Sequence, residues 1–599
     1  MNRKLKRTLS AVLACTVILS SSLTAQITAG ADTATAAVTD STAAKSYTLT
    51  KKNIKTYFFS AAKEKMTKTP LYYVNGSDVP YMKVEDWTEL YKTIAVEAYG
   101  NTSFDINVKK EGDVVYLVRE NGYFMGMDLT QDLFYFWDYN AFVDIPGNGL
   151  MDVTSGIFKG ADGSSRYVKE LSSTNQRYGD QITMDLGAYG IDLVRKGDNY
   201  YIPVQTLSDI FLASSSIHML YNGKVLIVEA GGVNALFGAA GMTELGTIYY
   251  ADGGSGKVSK AMAEYSYKEL CFALDTFYGL KDQHKIKDFQ TLMKQTGYES
   301  YFLSTNQTRT EKRLFDLIRN SLDDQHSTYQ LPSYAADMTS VAQYGRKKGE
   351  SRASAALHER QTELMTARAQ FNPDGVPGYQ EIGDTAFITF DNFIIDMTKD
   401  YYTTAPTAED TDTIGIIAYS VQQILRKDSP IKNVVLDLSC NTGGAVPTAI
   451  YTLGAFLGKA SVSLEDPNTG ALITHDYKVD TNFDGKFNSK DTLAGKGLNL
   501  YCLASSVSFS CGNLVPCAFK NSGKVTLLGE TTGGGTCTVM PLTTASGSIF
   551  NISSSIRLSF LKNGSFYDID RGADPDIPIT KTEHYYDRKA LSEYINGLF

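Results

Sequence analysis

Asn433-Val434-Val435-Leu436-Asp437-Leu438-Ser439-Cys440-Asn441-Thr442-Gly443-Gly444 is the stretch on which the fold turns. Its apolar run, broken only by Asp437, fits a strand buried on both faces, as in a parallel sheet. The polar turn that follows ends in two glycines, and the apolar run 449–457 then reads as a helix. Glycine lets backbone N–H groups come close to a ligand, and a helix N-terminus favours negative charge. An oxyanion hole needs both. Outward from this stretch, apolar strands alternate with helices from Gly378 onward, at 386–390, 414–425, 434–438 and 449–457. That is the pattern of an α/β domain.

Downstream, Leu503-Ala504-Ser505-Ser506-Val507-Ser508-Phe509-Ser510-Cys511-Gly512-Asn513 carries another strand into a run of hydroxyls. After a helix, Val525-Thr526-Leu527-Leu528-Gly529-Glu530-Thr531-Thr532-Gly533-Gly534-Gly535 ends a third strand. In type and order these segments resemble the serine peptidase family of the C-terminal processing (tail-specific) and tricorn peptidases, serine family forty-one. The family's D-L-R-x-N-x-G-G turn corresponds to 434–444, with Ser439 and Cys440 in place of its Arg and Gly. Its S-A-S/A-E helix corresponds to Ser510-Cys511-Gly512-Asn513, and its G-E-x-T strand end to 529–532. The resemblance runs from about residue 260 to 580 and implies a crotonase-like β-β-α spiral. It also implies Ser510 as nucleophile, with the amide of Cys511 and that of Gly443 or Gly444 as oxyanion donors. Ser at a helix start is also a common N-cap. Ser508 is the rival nucleophile, and register with Gly529-Glu530 favours Ser510.

A serine nucleophile needs a base. The lysine-dyad branch of the family supplies a Lys just beyond the G-E-x-T strand, where this chain has Gly533, Gly534 and Gly535. The tricorn-like branch uses a His in a D-x-H-S/T segment, which Asp324-Gln325-His326-Ser327 matches. The resemblance therefore implies His326 as general base, and an imidazole suits a proton shuttle near neutral pH. Tricorn-like enzymes place a second Ser just before the base; Gln325 stands there, so that role is not carried over. The third member should be an acid that orients the imidazole. In the family it precedes a G-V-x-P-D turn, here Gly572-Ala573-Asp574-Pro575-Asp576, which points to Asp570, with Asp568 as the alternative.

One pattern is independent of the family. Residues 480–491 fit a twelve-residue calcium loop of the EF-hand type. Asp480, Asn482, Asp484 and Asn488 stand at positions one, three, five and nine, Lys486 at seven, Gly485 at six and Asp491 at twelve. An Asp at twelve is found in the calcium loops of dockerin modules. The same residues also favour a plain hairpin turn.

The chain has 599 residues, 43% hydrophobic and 21% charged, which suits a soluble protein of several domains. Arg3, Lys4, Lys6 and Arg7 precede the apolar 9–19 and a small-residue stretch, so 1–30 reads as a signal peptide and the protein as secreted or cell-surface. That apolar run is shorter than the about 20 residues a spanning helix needs. A net charge of −9 without a basic stripe argues against nucleic acid and anionic membrane as partners. Cys271, Cys440, Cys502, Cys511, Cys517 and Cys537 follow the signal, with no C-x-x-C pair to suggest zinc.

The expected architecture is a multidomain α+β chain. A flexible leader, 31–46, precedes a β-rich N-terminal domain, 47–232, which loosely resembles the small N-terminal modules of copper amine oxidases. That domain holds a weak repeat at an offset of 120: Tyr81-Met82-Lys83-Val84 is echoed by Tyr201-Ile202-Pro203-Val204. A helical segment, 258–345, carries the His motif; 346–377 is a linker; 378–599 is the catalytic core. The expected activity is secreted serine endopeptidase, needing no cofactor for chemistry, with Ca2+ as a structural ion and a peptide or protein as substrate. A catalytically silent peptide-binding protein on the same fold, or an esterase, are the alternatives. Oligomeric state is not readable from the sequence.

Overall fold

The computed structural model describes residues 47–60, 63–99, 101–145, 153–154, 158, 164–229, 236–238, 241–251, 256–581 and 583–597. The signal 1–30 and the leader 31–46 lie outside the described residues.

The strands Tyr379–Ile382, Thr385–Thr389, Asn433–Asp437, Asn499–Ala504, Val525–Gly529 and Ile577–Pro578 form one sheet in that order. The first pair is antiparallel and the others are parallel. Thr385–Thr389 and Asn433–Asp437 are buried at every residue, as a sheet covered on both faces requires. The crossovers carry the helices Thr413–Ile424, Val446–Leu457 and Cys511–Ser522. The loops 438–445, 505–510 and 530–536 therefore gather at the carboxyl ends of adjacent parallel strands, where open α/β sheets place their ligands.

A second sheet lies alongside, ordered Thr328–Leu331, Ile549–Lys562, Ala460–Asp466, Ala471–Val479 and Val168–Arg177. Cys537–Thr543 and Ser565–Tyr567 also pair with the long strand Ile549–Lys562. Thr328 sits opposite Asn551 and Tyr329 opposite Phe550, which carries the His326 segment onto that long strand. Val168–Arg177 belongs to the N-terminal region, yet it forms the edge of this sheet against Ala471–Val479. The N-terminal region is thus built into the core rather than tethered to it.

The repeated pattern falls on two strand–helix units, Pro80–Lys83 with Val84–Tyr99 and Asn199–Pro203 with Val204–Phe211. Their strands pair antiparallel, Tyr81 opposite Pro203, Met82 opposite Ile202 and Lys83 opposite Tyr201. This register exchanges equivalent positions of the two copies, as a local twofold would. Tyr91 and Phe211, equivalent in the repeat, are buried edge to face with ring centroids 6.0 Å apart. One apolar core joins these units to the helix Lys260–Phe277 and to Leu314, Leu317 and Phe550.

The stretch 346–377 contains the helix Arg352–Phe371, capped by Ser351 and largely solvated. It docks through Leu364, fully buried among Tyr501, Tyr585 and Tyr586, and through Arg368, which pairs with Asp391. The six cysteines of the described residues are all buried and unbridged. Among the described residues no helix is long and apolar enough to cross a membrane.

Candidate active site

Two glycines shape the turn after Asn433–Asp437. Gly443 has φ +105° and Gly444 φ +132°, a region that L side chains rarely adopt. Space forbids a side chain as well: a methyl on Gly443 would lie 2.7 Å from Ser510 Cβ, and one on Gly444 2.4 Å from the Phe393 carbonyl. The Gly443 amide is taken, since it donates to Asn441 Oδ1 at 2.9 Å. Asn441 is anchored in turn by donating to the Phe390 carbonyl at 3.0 Å.

Ser510 sits at φ 57°, ψ −123°, a strained position for a residue that bears a side chain, and the helix Cys511–Ser522 begins immediately after it. Its amide donates to the Gly534 carbonyl at 2.9 Å, and its carbonyl accepts from Asn513 and Leu514. Its hydroxyl makes no capping bond. The ordinary reason for a Ser at a helix start is therefore missing here. Ser508 is the opposite case. Fully buried, its hydroxyl donates to the Leu438 carbonyl at 2.8 Å and accepts the Ser505 amide at 3.0 Å.

The helix Cys511–Ser522 and the glycine turn are stitched together by Cys511, whose thiol donates to the Gly444 carbonyl at 3.2 Å. Burial pushes that thiol up to about 12, so it is no nucleophile at neutral pH. No acceptor lies on the amides of Cys511 and Gly444 among the described contacts. Of the three oxyanion candidates, these two keep their N–H groups available, whereas Gly443 serves by its lack of a side chain.

His326 is delivered by a tight loop. Asp324 Oδ1 accepts the amides of His326 and Ser327 at 3.0 and 2.7 Å and the Ser553 hydroxyl at 2.8 Å; Oδ2 accepts the Tyr278 hydroxyl at 2.9 Å. The imidazole packs on Phe509, the neighbour of Ser510, with centroids 4.7 Å apart. Burial lowers its pKa from the ordinary 6.5, and the carboxylates of Asp324 and Asp570 oppose that effect. Among the described contacts, no hydrogen bond joins His326 to Ser510 or to Asp570. The structure gathers the three without closing the relay.

Asp570 Oδ1 accepts the amides of Gly535 and Thr536 at 3.3 and 3.1 Å. Asp568 is engaged elsewhere, with Thr536 Oγ1 at 3.0 Å and Arg557 at 3.2 Å. Gly533, Gly534 and Gly535 lie directly on the loop that carries Ser510. A methyl on Gly535 would meet the Phe509 ring at 2.6 Å and the Ser510 nitrogen at 3.0 Å. No side chain, lysine included, fits there. Lys520 is paired with Asp576 at 3.1 Å, and Lys524 reaches the Leu457 carbonyl.

Asn513 escaped the sequence reading. It donates to the Ile569 carbonyl at 2.9 Å and accepts from Thr532 at 2.6 Å, holding the loop before Asp570 against the helix Cys511–Ser522. Its place in the S-C-G-N stretch marked it only as a departure from the family's Glu. Arg360 likewise escaped: from the solvated helix it pairs with Glu530 of the G-E-x-T strand end.

Residues 413–579 match the family model "Peptidase family S41", a span that includes Ser510 and Asp570 and leaves His326 upstream. No curated protein matches the chain. Among solved structures, a putative peptidase from Parabacteroides merdae is similar at 14% identity and a TM-score of 0.39, over 57% of this chain and 96% of that one. The photosystem II D1 C-terminal processing protease is similar at 16% identity and a TM-score of 0.26, over 34% of this chain and 47% of that one. The tricorn protease is similar at 15% identity and a TM-score of 0.22, over 40% and 19%. This chain thus spans less than half of the processing protease. The match to peptidase family S41 is thus confined to residues 413–579.

Proposed function

We propose that this chain is an exported endopeptidase that hydrolyses peptide bonds through an acyl-enzyme on Ser510. The observation that carries the reading is Ser510 itself. Its backbone is held at φ 57° between two glycine loops, and its hydroxyl is released from the capping role that would otherwise account for it. His326 takes the Oγ proton as Oγ attacks the scissile carbonyl carbon. The carbonyl oxygen becomes an oxyanion facing the amides of Gly444 and Cys511. The imidazolium then protonates the leaving amine, and water repeats the sequence on the acyl-enzyme. Asp570 faces the imidazole and stabilises its charged form. Substrate binding is expected to close the Ser510–His326 hydrogen bond, since catalytic hydrogen bonds often tighten only in the complex. Export is supported by the basic and apolar segments within 1–30.

A fluorophosphonate probe followed by mapping of the labelled residue tests this reading. Wild-type protein is expected to label at Ser510, and Ser510→Ala to lose both labelling and peptidase activity with an unchanged circular dichroism spectrum. Labelling that persists in Ser510→Ala, or that disappears in Ser508→Ala with its fold intact, would overturn the assignment.

A further inference from the structure

The loop between Ala471–Val479 and Asn499–Ala504 holds two buried carboxylates with no cation beside them. Asp480 is fully buried and Asp491 is 1% exposed. Among the described residues, no Lys, Arg or His lies within ion-pair distance of either, or of Asp484. Burying an unpaired carboxylate is costly, and buried charges are ordinarily paired or bound to a metal.

The oxygens of Asp480 are unequally used. Oδ2 turns into the loop and accepts the Gly485 amide at 2.8 Å, with the Tyr402 hydroxyl at 3.0 Å. Oδ1 of the same carboxylate is buried with no hydrogen-bond partner. Asp491 folds back onto the loop start, accepting the Thr481 amide at 3.1 Å and the Asn488 amide at 2.8 Å. Its pKa is raised by burial first, with the charge of Asp480 adding to the effect, so the two carboxylates feel one another. Gly485, at the sixth position, has φ +75°, the turn that such a loop requires. Among the described residues, no three His, Cys, Asp or Glu gather as a metal-holding group. Asp480, Asp484 and Asp491 are thus not drawn together here, and an ion would have to gather them on the calcium pattern. Its third and ninth positions here are the amides Asn482 and Asn488, its seventh ligand is a backbone carbonyl, and exposed Asp484 stands at the rim.

From the orphaned Asp480 oxygen and the missing counter-charge, we infer that residues 480–491 bind one calcium ion. The ligands are Asp480, Asn482, Asp484, Asn488, Asp491 and the carbonyl of Lys486. A hard cation with flexible coordination suits this all-oxygen set, whereas magnesium demands a tighter octahedron. The ion also has a structural task. Tyr451, on the helix that follows the glycine turn, donates to the Asp480 carbonyl at 3.0 Å, and the Leu493 amide donates to the Ala455 carbonyl of the same helix at 2.8 Å. Phe483 stacks on Tyr401 with centroids 5.5 Å apart. A filled loop would thus pin that helix and the strand leading to Ser510. None of this depends on the peptidase reading.

The test uses the full chain stripped with a chelator and dialysed. Calcium is expected to bind one per chain by calorimetry, with a Kd of about 10⁻⁵ to 10⁻³ M. At a hundredfold excess over that Kd it should raise Tm by at least about 3 °C, while magnesium at the same concentration does not. Terbium should show luminescence on tyrosine excitation, and calcium should quench it. Asp484→Ala changes an exposed side chain and so keeps the chelated protein's Tm, but it should weaken calcium at least tenfold. Asp480→Asn should do the same if it folds. A Tm indifferent to calcium in wild type, or calcium binding unchanged in Asp484→Ala, would overturn the inference.

Discussion

His326→Ala is expected to lower kcat/KM about 10² to 10⁴-fold at neutral pH, the usual contribution of a positioned general base. The pH profile separates this role from a packing role for the ring against Phe509. Burial holds the imidazole below its ordinary 6.5, and the opposing carboxylates do not overcome it. The neutral, proton-accepting form therefore persists into mild acid, and the acidic limb of kcat/KM should fall below pH 6.5. The same depression makes the folded state a weaker proton acceptor than the unfolded chain. Its contribution to stability is complete above the ordinary imidazole range and is lost as pH falls through the folded value. Asp570→Asn removes one of the two charges that raise this pKa, so its limb should move further toward acid while kcat drops through poorer orientation. Asp568→Asn, which loses the Arg557 contact instead, should leave the limb where it is. Lys520→Ala and Lys524→Ala should stay near wild type, since both amines are engaged away from the nucleophile. Near-normal activity in His326→Ala, or collapse in either lysine variant, would assign the base elsewhere.

The parallel strands of the sheet were legible because their centres are apolar and their turns carry glycine: 433–437 and 525–529 fall where apolar periodicity puts them. What the sequence could not decide was conformation and long-range pairing. Nothing in the letters around Ser510 tells a capping hydroxyl from one held free at φ 57°; the backbone angle distinguishes them. Asp568 and Asp570 look alike in sequence, and Arg557, on the long strand Ile549–Lys562, separates them. Val168–Arg177 alternates weakly and is mostly exposed, so its register against Ala471–Val479 has no local signature. Asn513, Arg360 and Arg588 act through polar contacts to distant parts of the chain, which leave no periodic trace.

Arg588→Ala is expected to destabilise the protein by about 3–5 kcal/mol, the cost of leaving a buried carboxylate without its partner. Arg588 and Asp437 are 4% and 1% exposed in their side chains and meet at 2.5 Å. Asp437 closes the central strand just before the glycine turn, and its other oxygen accepts the amide and hydroxyl of Ser439 at 3.0 and 2.7 Å. Arg588 also donates to Thr389 at 3.1 Å and lies over the Phe387 ring at 4.8 Å, so it ties the C-terminal helix Arg588–Asn596 across two strands. Much of the loss should come from the stranded charge rather than from the missing contact. Asp437→Asn in the Arg588→Met background keeps an acceptor for Ser439 and removes both charges, so it should recover most of the loss. Urea unfolding of wild type, Arg588→Ala and the double variant measures both effects. An Arg588→Ala protein within about 1 kcal/mol of wild type would mean that water reaches Asp437 and that the C-terminal helix is not what secures the end of the central strand.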